Sequence, residues 1–524
     1  MINLDSKSLL RFASVCGKYD PLIHLNSRLQ VSRSLHLIFR SSSLLRYMNQ
    51  LALYGMEDTG SEIPYLNSLF LLRDRQHAWE SLKWKQTTTI VVPHYCKAYE
   101  LVAGVFASSD GQDLNIIGLP SNGDEGYTLT RTPNLPIRDF AIDPTEDVVA
   151  FLEETTQNPK RIHIRKISTN APLSVLTFTV PPDGNFYTPL LQFGWDLLGL
   201  HYPSRILIWN WKQDSLIFDS SCQSLSHDID DFVFLSRDTF LVTSTSLHIY
   251  VFSPPSSVIL VATLNLPITP HYWHRAQIGI HSGPLHGRPP SGVLFTPASN
   301  ARIQVFSVTY GFHFKYTMFV HTNTLLHYVE RYVSGEAIPE LVVHWDLWGR
   351  HGTRFMKNNV PMVWLRSVHP SFFGLTYFLT LRRYVHGQCV IQQRDTISGT
   401  EIEVIDFNYV PPYASSDSHP TPSPCMIGDN FRRTTFTRSQ PTVLPPNPSP
   451  DDFPSGGRVN DNPFCTEVMT SLPYHVSSVR LPIAFYSCMI DDERIVGIQV
   501  RFRFYISVFL LNGCSGSAIF CCLV

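Results

Sequence analysis

The sequence predicts an α+β chain: a short helical N-terminal region followed by a mainly β, propeller-like domain. Three observations predict it. The first is composition. The chain has 524 residues, of which 16% are charged, 12% aromatic and 38 are prolines. An average soluble domain is about 25% charged and about 5% proline. Few charges with many aromatics and prolines favour short strands and turns over long helices. The second observation is a change of period: apolar residues recur at helical spacing up to about residue 85 and at strand spacing beyond it. The third is a loose repeat of roughly 40–50 residues with no comparable helix inside it. The length, about three domains' worth of chain, allows a large buried core.

The helical region, 1–85, is justified piece by piece. Leu9, Phe12, Ala13 and Cys16 share one helix face. Gly17 and Asp20-Pro21 interrupt it. Asp20 then serves as N-cap and Pro21 as first residue of a second helix through Leu22, Ile23 and Leu29. Over 66–84, Leu71, Leu72, Ala78, Trp79 and Leu82 are apolar at helical spacing, with Arg73, Arg75 and Glu80 for the wet side.

Strands begin at Thr87. The runs 87–92, 147–153, 161–167 and 175–180 are bounded by turns, and Arg161, His163 and Arg165 alternate with Ile162 and Ile164. No comparable helix separates the runs, which argues against βαβ units. Phe140, Phe193 and Phe232 each open a strand, turn, strand pattern, followed by a third strand at 161–167, 205–211 and 246–252. The phenylalanines lie 53 and 39 residues apart. Four short strands cannot bury both faces alone, and radial stacking of such units does it. The units lack the Gly-His and Trp-Asp signature, and a pair of β-sandwiches is the alternative. The propeller-like domain is expected over 86–410, with closing strands at 464–500. Between them, 411–463 carries 12 prolines, so it is expected as a disordered insertion that neither pairs into a sheet nor continues a helix.

The segment 501–524 is expected as an atypical apolar tail. Phe504 to Val524 has no charge, and its length permits a span of about 20 residues. Asn512-Gly513-Cys514-Ser515-Gly516-Ser517 at mid-span argues against one, and Val524 is not a usual end for a prenylation box. No membrane partner is expected, and deletion of 502–524 is expected to leave the propeller folded.

Net charge is −2, which excludes a strongly basic nucleic-acid binder and an acidic disordered chain. Lys7 and Arg11 interrupt the first apolar stretch, so no secretory signal is read. The ten cysteines include no Cys-x-x-Cys, which leaves no zinc ribbon and no redox pair. Dispersed cysteines read as buried thiols of a cytoplasmic or nuclear protein.

Constellations that could carry chemistry are few. His271, His274, His281 and His286 fall in a stretch rich in Gly and Pro without zinc-site spacing, and are expected on a solvated loop. Asp491-Asp492-Glu493 could bind a cation or act as acid and base, but is expected as a solvated turn. Arg382-Arg383 is too short for a nucleic-acid patch. Trp345, Trp348 and Trp364 are expected in the core rather than around a ligand. No nucleophile elbow, phosphate-binding loop or dinucleotide fingerprint occurs. No catalytic residue, cofactor or metal is therefore assigned. A propeller hydrolase would need acids and bases converging from several blades.

The opening LDSKSLLRFASVCGKYDPLI resembles the second half of an F-box, with Leu4, Asp5, Leu9, Val15, Cys16, Tyr19, Leu22 and Ile23 matching its pattern. QLALYGMED (50–58), LLRDRQHAWESLKW (71–84), VVHWDLWGRHGTRF (342–355), RYVHGQCVI (383–391), EVIDFN (403–408), TSLPYHV (470–476) and MIDDERIVGIQ (489–499) resemble, in order, blocks of F-box proteins of mushroom-forming fungi. Three departures stand out: the leading Leu-Pro-x-Glu helix is missing, 29–47 is about 15 residues longer than the family pattern, and the sequence after Val500 is unlike the family's ending. Val31-Ser32-Arg33 and Val500-Arg501 at two of these junctions are what retained introns beginning GT would encode.

The resemblance implies a non-enzymatic substrate receptor of an Skp–cullin–F-box ubiquitin ligase. It implies that Leu4, Leu9, Leu10, Val15, Cys16, Tyr19, Leu22 and Ile23 bind an Skp-type adaptor joined to a cullin, while the β domain holds an unknown protein substrate. An F-box contributes burial, not chemistry. The alternative is a β-propeller scaffold or ligand-binding module with a non-functional F-box remnant.

Overall fold

The computed structural model describes residues 41–511, leaving out 61, 93–95, 122–124, 181–189, 203–204, 222–228, 254–256, 268, 270–275, 284, 291, 312–313, 359–361, 365–380, 388, 397–398, 408–432, 446–462, 486 and 501–503. The F-box-like segment and its eight adaptor-binding residues lie outside the described residues.

Seven antiparallel sheets follow one another around a ring. Blade one is Ala98–Val102, Val105–Ser109, Leu114–Gly118 and Tyr127–Arg131. Blade two is Ile137–Asp143, Val148–Glu153, Lys160–Lys166 and Pro172–Phe178. Blade three is Leu190–Gly194, Leu197–Tyr202, Arg205–Asn210 and Ser215–Asp219. Blade four is Asp231–Phe234, Thr239–Thr243, Ser246–Ser253 and Ser257–Asn265, with Leu341–Val343 added in parallel at its outer edge. Blade five is Gln277–His281, Ile303–Tyr310, Phe314–His321 and Thr353–Lys357. Blade six is built on Leu381–His386, Cys389–Thr396, Gly399–Asp406 and Tyr474–Leu481, flanked by Met362–Trp364 and Arg433–Arg438. Blade seven is Ser487–Ile490, Arg494–Val500, Phe504–Leu510 and, from the other end of the chain, Gln86–Val92. Contacts between the first strands of blades one and two, two and three, four and five, and six and seven run around the inside of the ring.

The phenylalanine repeat marks blade starts. Phe140, Phe193 and Phe232 lie in the innermost strands of blades two, three and four. Phe232 packs into the neighbouring blade with Leu197, Ile208 and Phe218. Blade three makes room for it at Gly199, where a Cβ would stand 2.4 Å from the Phe232 ring. Inner strands are also joined by carboxylates that accept backbone N–H groups. Glu100 takes that of Ile142 at 2.9 Å, and Asp231 that of Ile280 at 2.8 Å. Each satisfies a donor that an inner edge would otherwise leave buried and unpaired.

Several expectations are corrected. The Pro-rich stretch 411–463 does pair in part: Arg433–Arg438 lies against Tyr474–Leu481, and Thr442–Leu444 against Val468–Thr470. Its prolines cluster on either side of these short strands. The apolar tail enters the propeller, because Phe504–Leu510 pairs along its whole length with Arg494–Val500 on one side and Gln86–Val92 on the other. Blade seven therefore closes the ring by joining Gln86–Val92, the strand before blade one, to the three strands that follow blade six. Two helices interrupt blade five, α3 (Thr322–Val333) and α4 (Trp345–Gly352). Trp345 and Trp348 are buried between blades four and five, and the Trp348 Nε1 donates to the Asn265 carbonyl at 2.9 Å. The side chain of Trp364 lies outside the described set. Cys96 and Cys488 are buried, whereas Cys465 is exposed.

Before the ring come α1 (Ser43–Leu53) and α2 (Tyr65–Ser81). Ser42 caps α1, its Oγ accepting from the Leu45 N–H at 3.3 Å. The helix expected over 66–84 is α2. It starts after Pro64 and stops at Leu82, whose φ of 47° no helix continues. Tyr47 and Leu51 of α1 pack with Leu69 and Leu72 of α2 over Met56 and Phe295.

Candidate protein-binding cleft at the plugged mouth of the ring

A strap crosses one mouth of the ring between the first strand of blade five and Phe295–Pro297; its described residues are 282–283, 285–290 and 292–294. Its residues touch blade after blade. A Cβ on Gly283 would stand 2.8 Å from the Val385 carbonyl of blade six. Leu285 is buried among side chains of blades three and four. Gly287 N–H donates to Asp143 Oδ2 of blade two at 2.7 Å, and Arg288 Nε to Glu146 Oε1 at 2.8 Å. The strand that follows the strap then pairs with the N-terminal segment, Met56–Asp58 against Phe295–Pro297. Thr59 extends the contact, its Oγ1 donating to the Val293 carbonyl at 2.6 Å.

Beneath the strap lies a knot of charged side chains. The turn Asp491–Arg494 of blade seven, expected to be solvated, is buried throughout. Asp491 Oδ1 accepts the N–H groups of Glu493 and Arg494, both at 2.8 Å, which fixes the turn. Arg494 then uses its guanidinium as a clamp. Nη1 meets Asp491 Oδ2 at 2.8 Å, Nη2 meets Glu493 Oε2 at 2.9 Å, and Nε donates to the Pro120 carbonyl of blade one at 2.7 Å. Ser121 completes the junction, its Oγ donating to Glu493 Oε2 at 2.8 Å. Gly104 is needed beside the clamp. Its φ is +77°, and a Cβ would stand 3.0 Å from Arg494 Nη1.

Asp492 points to the other neighbour. Its Oδ1 lies 3.0 Å from His386 Nε2 of blade six, and its carbonyl accepts Arg75 Nη2 of α2 at 3.0 Å. Burial alone would raise its pKa. The facing His386, with Arg75 and His286, outweighs burial and holds it at about 2. His286, expected on a solvated loop, is half-buried instead; desolvation and the Arg302 charge push its pKa down. Arg302 is itself pushed down to about 10 by burial, against the pull of Asp492. Glu493 is pushed up by burial and by Asp491, against the pull of Arg494. Buried charges at this density persist only when paired. The knot is therefore the joint between blades six, seven and one and α2.

The knot also floors a cleft of about 410 Å³, walled by blades one and seven on one side and the strap on the other. Tyr127 stands half-exposed in its wall, with its ring across Gly118, where a Cβ would meet it at 2.2 Å. Pro144, Pro289 and Pro290 supply apolar surface, and Thr145 and Arg288 supply polar groups. An aromatic ring, rigid prolines and a few polar atoms suit a peptide chain.

Sequence reasoning found Asp491–Glu493 as a cluster but missed the partners that bury it. His281 is on a strand of blade five, its Nε2 2.8 Å from Ser307 Oγ, and His271 and His274 lie outside the described residues. Among the described residues no group of His, Cys, Asp or Glu could hold a metal ion. No helix among them is long and apolar enough to cross a membrane.

No family model and no curated protein matches this chain. Among solved structures it is similar to Hsv2 of Kluyveromyces lactis, at 8% identity and a TM-score of 0.35, over 78% of this chain and 96% of that one. A chain of a mitotic checkpoint complex matches at 7% identity and 0.34, over 82% of this chain and 94% of that one. An uncharacterized protein of Listeria monocytogenes EGD-e, lmo1340, matches at 7% and 0.32, over 61% and 83%. The seven-bladed propeller rests on this chain's own strand pairing.

Proposed function

We propose that this protein is a non-catalytic receptor. In this reading the F-box-like segment binds an Skp-type adaptor of a cullin ubiquitin ligase through Leu4, Leu9, Leu10, Val15, Cys16, Tyr19, Leu22 and Ile23. The cleft at the plugged mouth holds a segment of the protein substrate. One observation carries the reading. Helices α1 and α2, which follow the F-box-like segment, are fastened to the same mouth that carries the cleft. Arg75 is bonded to the Asp492 carbonyl, Ser477 Oγ to the Glu80 carbonyl at 2.7 Å, and Met56–Asp58 is paired with Phe295–Pro297, which follows the strap. A rigid joint of this kind keeps a bound substrate at a fixed reach from an adaptor.

The test is co-purification of the full chain with an Skp-type adaptor. Wild type retains the adaptor, while Val15→Asp and Leu22→Asp lose it with unchanged melting of the propeller. Tyr127→Ala with Arg288→Glu keeps the adaptor and loses captured substrates. Wild type that fails to retain the adaptor, or V15D and L22D variants with an unaltered partner set, would favour a scaffold with a silent F-box remnant.

A further inference from the structure

The excursion that interrupts blade five, α3 to α4, holds the most exposed large apolar side chains of the described residues. Val333 is 74% exposed, Ile338 75% and Leu347 77%, the three highest values among the large apolar side chains described. Val342 is 56% exposed. The excursion is otherwise firmly built. Leu325, Tyr328 and Val329 of α3 and Trp345 and Trp348 of α4 are buried in the core between blades four and five. Leu341–Val343 pairs with the outer strand of blade four, and the Glu340 N–H donates to the Leu260 carbonyl at 2.9 Å. Apolar side chains are thus held out on an ordered frame at the rim, which is the signature of an interaction surface rather than of fraying.

Charge says what fits there. Glu330, Glu336, Glu340 and Asp346 are all exposed on the same excursion. Two bases stand on the excursion with them: Arg331 of α3, 4.0 Å from Glu336, and the exposed Arg350 in the last turn of α4, whose Nη2 is turned to Met469 Sδ. Four acids against two bases leave the apolar side chains in a net negative surrounding. The terminal strand has three residues, too short an edge to recruit a partner strand. Contact must come from side chains, and an amphipathic helix supplies it.

We infer that this rim is a second docking surface, for a basic amphipathic segment of a partner protein. Its apolar face covers Val333, Ile338 and Leu347, and its Lys and Arg side chains meet Glu336, Glu340 and Asp346. The surface stands apart from the cleft and does not depend on the function proposed for it.

The probe is a fluorescent 14-residue peptide of Leu and Lys at amphipathic helical spacing, with a Leu and Glu peptide of the same spacing as control. Anisotropy is measured against the full chain at low and high salt. The Lys peptide should bind with an affinity that falls with ionic strength, and the Glu peptide at least tenfold more weakly. Leu347→Asp, and separately Glu336→Lys with Asp346→Lys, should each weaken the Lys peptide at least tenfold. Tyr127→Ala in the cleft should leave it unchanged. All these side chains are exposed, so each variant should keep the cooperative melting of wild type. Equal binding of both peptides, or full binding by the rim variants, overturns the inference. So does self-association of wild type that Leu347→Asp abolishes, which would make the occupant a second copy of this chain.

Discussion

His386 Nε2 of blade six lies 3.0 Å from Asp492 Oδ1 of blade seven, and both side chains are buried. This contact joins two blades at the point where α2 also lands. It makes the seam sensitive to acid. Asp492 has a folded pKa of about 2 against an ordinary 3.8. A depressed carboxylate stabilises the fold fully above its unfolded pKa and loses that contribution as pH falls through the folded one. Its contribution at neutral pH is about 2 kcal/mol. Asp492→Asn should therefore be less stable than wild type by about that amount at pH 7. The gap should close between about pH 4 and pH 2. Urea unfolding of both proteins across that range checks it, and a gap that does not vary with pH refutes it.

Arg75 connects the helices to the same seam. Its Nη2 donates to the buried Asp492 carbonyl, and its guanidinium lies 5.9 Å from the Trp79 ring centre. Arg75→Met removes the bond and leaves the carbonyl unsatisfied, at a cost of about 1–3 kcal/mol. The loss should be local. Hydrogen exchange should speed up in α2 and at Met56–Asp58 while the inner strands of blades two to four stay protected. Uniform acceleration across all blades would show that Arg75 acts on the whole ring instead.

The ring was legible where burial leaves a pattern. Phe140, Phe193 and Phe232 stood at blade starts because each inner strand needs a large side chain toward its neighbour. The same logic failed for Phe504–Leu510. A strand with a neighbour on both sides and little exposure on either face shows no alternation, so it read as an uncharged tail. Asp491–Glu493 failed for a different reason. Three acids in a row look solvated until their counter-groups are known, and Pro120, to which Arg494 Nε donates, is 374 residues away in sequence. The strap was hidden too, because its glycines and prolines mark a loop without saying that the loop crosses the ring.

The C-terminal strand makes a direct test of ring closure. Truncation after Arg501 would remove Phe504–Leu510 and leave Gln86–Val92 and Arg494–Val500 without the strand between them. Ile506, Val508 and Phe509 would vacate the core of blade seven. Each such side chain contributes about 1.5–3 kcal/mol when buried, and two strand edges would be bared. The truncated chain should lose its cooperative melting transition and aggregate. Truncation after Leu511 keeps the strand and should melt as wild type does. Equal melting of the two truncations would show that the ring closes without this strand, as a segment of retained intron would allow.

Arg354 is the largest fully buried side chain among the described residues. Its guanidinium lies 5.1 Å from the Tyr474 ring centre and makes its hydrogen bonds to carbonyls and one hydroxyl. Nε donates to Leu472 O at 2.8 Å, and Nη1 to Gln440 O at 2.9 Å and Thr442 Oγ1 at 2.8 Å. Burial lowers its pKa, against a weaker pull from Tyr474. This one side chain therefore fastens blade five to both strands' approaches in the 438–472 region. Arg354→Met keeps much of the apolar stem but orphans several acceptors at once, so it should cost at least about 3 kcal/mol. Arg354→Lys retains a charge and one or two bonds but not the planar fork, and should fall between the two. Denaturant unfolding orders the three proteins. Hydrogen exchange at Thr442–Leu444 should accelerate in the same order, and a Lys variant as stable as wild type would show that charge, not the fork, secures the segment.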